Sequence, residues 1–247
     1  MKLFLVVVFV FYHCESKELP SFIKKCSMAN KKVMGDCLQD RVHELVPQYQ
    51  SGIPELKIPS IDPLIIKEIK INTGHGGSVV LDATITNLKV EGLKNLTIKD
   101  IDFDFEKKSG HLEILMPILK IVGQNKLKGK VLLFELQSEG LLRGNIYDVD
   151  ATTSFGLDTY TKNGKKYIRV NDDAFIAENT FRDANLYFED LIPNKEINDQ
   201  INLAINANIQ ELSKEVSPLL HEAIHTVIVT ILAPIFNDYS IDELFDT

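Results

Sequence analysis

Apolar residues at Ile197, Ile201, Ala204, Ile205, Ile209, Leu212, Val216, Leu220, Ile224, Val227, Ile231 and Ile235 keep i, i+3, i+4 spacing for about forty residues. One helix of that length would run on the order of 60 Å at 1.5 Å per residue, well beyond the usual globular helix. Pro218 is expected to kink it without ending the pattern. From Ile224 to Leu232 apolar side chains cover nearly the whole circumference, which calls for burial on most sides. The period is not held at 3.5 and the flanks carry no charge code, so a coiled coil is excluded. Such a helix needs a cover.

The cover lies upstream. From about Ile65 to Phe188 the pattern changes to period two: Leu81, Ala83 and Ile85 alternate with Asp82, Thr84 and Thr86, and Ile101, Phe103 and Phe105 with Asp102, Asp104 and Glu106. Leu112, Ile114, Met116 and Ile118 continue it. Turn residues separate the runs at Gly74-His75-Gly76-Gly77, Gly92, Lys108-Ser109-Gly110, Gly129, Gly140, Asn163-Gly164 and Asn171-Asp172-Asp173. The pattern predicts an antiparallel meander with one apolar face. An α+β fold follows, a single elongated domain in which a strongly curved antiparallel sheet wraps the long C-terminal helix. Bulky aliphatics on a long helix do not pack flush along a curved sheet, and an internal apolar tunnel is the natural by-product.

Upstream of the sheet, Leu38, Val42, Leu45, Val46 and Tyr49 predict a helix over about Val33 to Tyr49, with Gly52 as its stop. Pro54, Pro59 and Pro63 then forbid both helix and central strand, while Ile53, Leu56, Ile58, Ile61 and Leu64 are too apolar for a loose linker. The expectation is an extended strap that joins helix to sheet and seals one end of the tunnel.

The first residues read as a secretory leader. Lys2 precedes the apolar run Leu3 to Tyr12, and Cys14 and Ser16 predict cleavage after Ser16, leaving residues 17–247 as the domain. Cleavage leaves Cys26 and Cys37, which an oxidising compartment favours pairing; the alternative is two free buried thiols. Asn95-Leu96-Thr97 is a glycosylation sequon at Asn95. A net charge of −8 with scattered Lys and Arg argues against nucleic acid and against an anionic membrane surface. No later run is long enough to span a bilayer, so a secreted, extracellular monomer without stable membrane insertion is expected.

His221-Glu222-Ala223-Ile224-His225 matches the His-Glu-x-x-His zinc motif, whose imidazoles one turn apart hold metal while the Glu activates water. A third ligand is wanting apart from Asp238, Asp242 and Glu243, and no further helix follows to frame a peptide, so a structural His pair is the simpler reading. Asp100, Asp102, Asp104 and Glu106 could suggest calcium, but every-other-residue acids fit the solvated face of a strand and lack the calcium-loop Gly. No nucleophile elbow, phosphate loop or Cys-x-x-Cys is present. No catalytic residue, metal or cofactor is expected. The prospective tunnel walls are Phe103, Phe105, Ile114, Met116, Ile118, Phe134, Leu136, Phe155, Phe175, Leu220, Ile224, Val227 and Ile231; ordinary core is the competing role for each.

Over nearly all of its expected mature length the chain resembles the takeout and juvenile-hormone-binding protein family of insect secreted lipid carriers. The resemblance rests on Gly52-Ile-Pro54 with Pro59-Ser-Ile-Asp62-Pro63-Leu64, on Thr86-Asn87 through Gly92-Leu93, and on Phe103-Asp104-Phe105. Pro117 and Gly123, Asn198, Asn202 and Asn206, Phe236, the tail Asp242-Glu243-Leu244-Phe245 and the paired cysteines extend it. The chain departs where members often have Gly-x-Tyr (here Gly123-Gln124-Asn125), where an aromatic often follows the helix asparagines (Ile209) and where a Gly is common (Ser138). The resemblance implies a TULIP-like helix-in-curved-sheet fold, one or more hydrophobic tunnels, a hydrophobic small-molecule ligand such as a terpenoid hormone or fatty acid, and no enzymatic activity. Two rivals remain: an extracellular protein-interaction module with incidental lipid, and a zinc hydrolase through His221, Glu222 and His225.

Overall fold

The computed structural model describes residues 19–73, 79–217 and 221–246. Strand β1 (Cys26–Ser27) leads into helix α1 (Lys31–Gln48). Asn30 caps that helix, its side-chain oxygen accepting from Val33 N at 2.9 Å, and Gly52 at φ +99° turns the chain away beyond its end. The proline segment is not extended as expected. Pro54–Leu56 form a single 3-10 turn, Lys57 is left-handed, and Ile53 and Ile58 exchange backbone hydrogen bonds at 2.9 and 3.1 Å. Proline at the start of that turn is pre-set for it, so the segment folds back into a compact knot rather than running as a strap.

The period-two stretch forms seven antiparallel strands in sheet order β2-β3-β5-β6-β7, with β4 on β5 and β8 on β6: β2 (Leu64–Asn72), β3 (Val79–Glu91), β4 (Thr97–Asp104), β5 (Ser109–Val131), β6 (Phe134–Lys162), β7 (Lys165–Thr180) and β8 (Asp183–Phe188). β5, β6 and β7 span 23, 29 and 16 residues because three expected turns lie inside strands, one in each. Gly129 is a point of close backbone approach at φ +149°, where a Cβ would run into the Val80 carbonyl. Gly140 sits against the Glu189 carbonyl, and Asn171 lies at the register shift between β6 and β7. The Gly74–Gly77 turn lies outside the described residues.

Long strands share neighbours. β5 pairs with β4 over Ser109–Leu115 and with β3 over Lys120–Val131, on the same edge. β6 pairs with β8 over Leu142–Tyr147 and with β7 over Asp150–Lys162.

The forty-residue pattern divides. α2 (Lys195–Ala207) ends at Asn208, α3 (Ile209–Val216) follows directly, and α4 (His221–Asp238) carries the last apolar stretch. Asn208 sits at φ −114°, ψ +16°, outside helical geometry, while the apolar face continues across it. Pro218 and Leu220 lie outside the described residues. The chain closes with α5 (Ile241–Leu244) and β9 (Phe245–Asp246), the latter pairing in parallel with β1. Two large core clusters result. One gathers α4 with β4, β6, β7 and both cysteines; the other gathers α2 and α3 with β3, β5, β6 and β8.

Candidate functional site: an apolar cavity between helix, knot and sheet

α1 lies along the free edge of β4. Gln39 Nε2 donates to the Ile98 carbonyl at 2.6 Å, and His43 Nε2 accepts from the Ile98 amide at 3.0 Å, so both backbone groups of that edge residue are met by side chains. Lys31 adds ion pairs to Asp102 and Asp104 at 3.3 and 2.5 Å. Asp104 is not on a solvated face as expected. It is buried in the β4–β5 turn, and Lys31, with the Lys107 amide at 2.8 Å, holds its carboxyl below the usual carboxylate range.

Polar contacts fix the rim of α1 and leave its apolar face standing off the sheet and α4. Between them lies a cavity of about 340 Å³, at the lower end of the range of small-molecule sites. α1 supplies Leu38, Val42, Leu45 and Val46; the proline knot supplies Ile53, Leu56, Ile58 and Ile61. The sheet adds Ile98, Ile101, Phe103, Leu112, Ile114 and Phe155, and α4 adds Val227, Ile228, Ile231, Leu232, Ile235 and Phe236. Among the described residues, only Lys24, Arg41, Tyr49 and His111 bring polar side chains to its lining. α4 is therefore only partly covered by protein: Ile228 is buried, whereas Val227, Ile231 and Leu232 are half-buried at the hollow.

The closure of this end is built from both termini. Cys26 and Cys37 form a disulfide, Cα–Cα 5.8 Å, joining β1 to α1. β1 pairs with β9, whose Phe245 lines the cavity. A capping box holds α5: Ser240 N and Oγ donate to Glu243 Oε2 at 2.8 and 2.7 Å. Burial pushes the Glu243 carboxyl up, but Lys165 Nζ at 2.6 Å and the two Ser240 donors prevail and lower it to about 2. Asp62 docks the knot, accepting from Gly92 N and Lys94 N at 3.1 and 3.3 Å, and Lys57 pairs with Asp238 at 2.8 Å.

Of the expected walls, Phe103, Ile114, Phe155, Val227 and Ile231 line this cavity. Phe105 stands behind Phe103, edge-on to Phe245 with centroids 5.4 Å apart. Phe175 and Ile224 belong to the adjoining core, and Met116 packs with Val149 and Ala151. Phe134 and Leu136 lie in the other cluster, against α2 and α3. Ile118 is 44% exposed. The inward phase of β5 shifts by one residue across Pro117-Ile118, where β5 exchanges β4 for β3, so buried Met116 is followed outward by Ile118 and inward again by Leu119. Leu220 lies outside the described residues.

Sequence reasoning gives the proline segment the closing of one end and leaves α1 out of the walls. The signal for α1 is its apolar helical stripe, Leu38 to Tyr49, which has no partner in the sequence reading. Both rings of the His-Glu-x-x-His pair rest edge-on to Phe175, His221 at 5.0 Å and His225 at 4.7 Å between centroids. Among the described residues no three His, Cys, Asp or Glu converge on a point that could hold a metal.

The profile of the family described as Haemolymph juvenile hormone binding protein (JHBP) matches residues 3–246. The crystal structure of Epiphyas postvittana Takeout 1 superposes with a TM-score of 0.75 at 17% identity, covering 91% of this chain and 100% of that one. The likeness shows the fold: a strongly curved antiparallel sheet forming a half-barrel around the C-terminal helix. The circadian clock-controlled protein daywake of Drosophila melanogaster is 22% identical over 193 residues, 74% of this chain and 72% of that protein. Its Drosophila yakuba counterpart is 24% identical over 164 residues, 64% of this chain, and the match spans 62% of its length. The chain belongs to the haemolymph juvenile hormone binding protein family, a family of hydrophobic-ligand carriers that includes the takeout proteins.

Proposed function

We propose that the chain is a secreted, non-catalytic carrier that holds one long, poorly soluble small molecule, of the juvenile-hormone or fatty-acid kind, in the cavity between α1, the proline knot, the sheet and α4. The observation that carries this reading is the lining: a concave space walled almost wholly by aliphatic and aromatic side chains, bounded by elements that polar contacts hold apart. Each methylene moved there from water contributes roughly 0.8 kcal/mol, offset by the loss of ligand freedom. The mechanism is sequestration; no proton or bond need move. In this reading the leader is removed after Ser16, the mature domain begins at residue 17, and Asn95, exposed together with Thr97, carries a glycan. No described helix is long and apolar enough to cross a membrane.

Denaturing extraction of the protein secreted from its own cells, followed by mass spectrometry, tests the reading. Near-stoichiometric lipid is expected, with displacement of a neutral fluorescent probe by added apolar chains. An empty protein that also rejects such probes contradicts it and favours an interaction module.

A further inference from the structure

The hairpin that joins β6 to β7 stands clear of the core. Leu157 and Ile168 are its last buried residues, each 1% exposed, and every residue between them is half-buried or exposed. Asn163 and Gly164 turn it at φ +51° and +78°, the two-residue turn that Asn-Gly favours. Its tip reads Lys162-Asn163-Gly164-Lys165-Lys166, with Lys162 directly opposite Lys165. Like charges so opposed weaken a strand pair. Lys165 turns to Glu243 at 2.6 Å, and Lys162 lies over the Tyr167 ring, 5.7 Å from its centroid. Among the described residues neither Lys162 nor Lys166 has a carboxylate within ion-pair distance. Tyr160 and Tyr167 stack with centroids 5.6 Å apart, one pleat back from Lys162 and Lys165 on the same face, and Arg169 follows, paired with Asp158 at 3.2 Å. The β4–β5 turn extends this basic end. Lys108 O accepts from Leu157 N at 2.8 Å, which sets Lys107 and Lys108 beside β6, roughly 17 Å along the strand from Lys162. Lys107 also reaches Asp104 at 3.8 Å, and Glu106 is the exposed acid of that turn.

The whole chain carries −8, yet strand register gathers cations from two distant stretches of sequence at one end. We propose that the β6–β7 hairpin docks the protein reversibly on an anionic phospholipid surface, with Lys162 and Lys166 meeting headgroups and Tyr160 and Tyr167 lying at the interface. Charge complementarity carries the assignment. Exposed lysines are each drawn to such a surface, and the amphipathic ring of tyrosine suits the headgroup layer. Position favours a bilayer over a soluble acidic partner. Lys165 holds Glu243, and the next two residues, Leu244 and Phe245, line the cavity. Docking therefore brings the closure of the cavity to the one phase in which an apolar cargo dissolves. No segment inserts, and the docking itself does not require the carrier reading.

The test mixes the full mature chain with vesicles of phosphatidylcholine alone and of phosphatidylcholine with phosphatidylserine, and reads the bound fraction by flotation. Binding to the phosphatidylserine vesicles alone, falling with added salt, is expected. Lys162→Gln combined with Lys166→Gln should weaken it by roughly fivefold per lysine removed. Lys128→Gln combined with Lys195→Gln removes the same charge from exposed positions at the α2 end and should leave binding unchanged. The chain has no tryptophan, so Tyr167→Trp supplies a single reporter whose emission should shift to the blue on the anionic vesicles. No binding to either vesicle, equal binding to both, equal loss in the two double variants or an emission that does not move overturns the proposal. Retention on immobilised heparin without vesicle binding overturns it in favour of an anionic polysaccharide. Binding of a neutral fluorescent probe is read on the same samples: its failure sinks the carrier reading and leaves the docking standing.

Discussion

The two ends of the molecule solve one problem differently: how to seat an apolar helix against a curved sheet. At the α2 end the helix is fastened by amides. Asn198, Asn202 and Asn206 repeat every four residues along one face and meet the free edge of β8. Asn206 accepts from Leu186 N at 2.8 Å and donates to Leu186 O at 2.7 Å; Asn202 does the same with Phe188 N and O at 2.8 and 2.9 Å, and Asn198 accepts from Leu191 N at 2.8 Å. The side chains act as a substitute strand, fixing distance and rotation together, and Ile201, Ile205 and Leu212 pack into a solid core. α4 carries no such row of asparagines. Its apolar side chains face α1 and the knot, whose polar contacts lie at their margins, across the hollow. Directional bonds make a solid end; aliphatic ridges with braced surroundings make a vessel.

The sharpest way to break this contrast is at the ladder. Asn202→Ala leaves the amide and carbonyl of Phe188 and the carbonyl of Asn198 without this partner. It should cost about 3 kcal/mol in denaturant unfolding, with probe affinity per folded molecule unchanged. A fall in affinity with unaltered stability would mean that the ladder belongs to the vessel.

Next in size is the brace at the hollow end. Replacing Cys26 and Cys37 together by Ser should cost roughly 2–3 kcal/mol for a loop of this length. It should also weaken ligand retention, since the bridge ties the α1 wall to β1 and through it to Phe245. Calorimetry and probe titration read the two effects separately.

A matched pair of overfilling variants compares the ends directly. Ile201→Phe, at a position 1% exposed in the solid end, should cost about 1–3 kcal/mol. Ile231→Phe, at the hollow, should change stability by under about 1 kcal/mol and reduce probe binding severalfold. Equal destabilisation by both would show that the hollow closes in solution.

The smallest effect concerns the tail. Glu243 ionises at about 2 in the folded chain, against 4.5 ordinarily. A carboxyl lowered on folding stabilises fully above its unfolded value, and that contribution is lost as pH falls from about 4.5 through about 2. Glu243→Gln should therefore cost about 1 kcal/mol at neutral pH and flatten the acid limb of the stability curve between those values. Urea midpoints across that range give the slope; an unchanged limb would show that other carboxylates govern it.

Much of the fold is legible in the chain. Period two gave the sheet away, and i, i+3, i+4 spacing the C-terminal helical run, because one buried face imposes each period. The break between α2 and α3 was not visible, since the apolar face runs through Asn208 unchanged. Nor was the outward turn of Ile118, which follows from a change of neighbour strands rather than from any residue near it. Phe134 and Leu136 were wrongly grouped with Phe103 and Phe155 because alternation assigns a face and says nothing about which end of a long strand is hollow. Two departures from the family pattern proved to be partners: buried Ser138 donates to Asn125 Oδ1 at 3.3 Å and to the Glu189 carbonyl at 3.0 Å. A single sequence does not reveal that pairing, because the two positions lie on adjacent strands and meet only through register.

Photolabelling locates the vessel most directly. A fatty-chain methyl ester bearing a mid-chain diazirine, bound to the mature protein at equimolar ratio and irradiated, should label peptides of α1, the proline knot and α4 at one adduct per molecule, with competition by unlabelled ester. Labels concentrated on α2, α3 and β8, or labelling no greater than in the denatured chain, would contradict the assignment of the hollow end as the binding chamber.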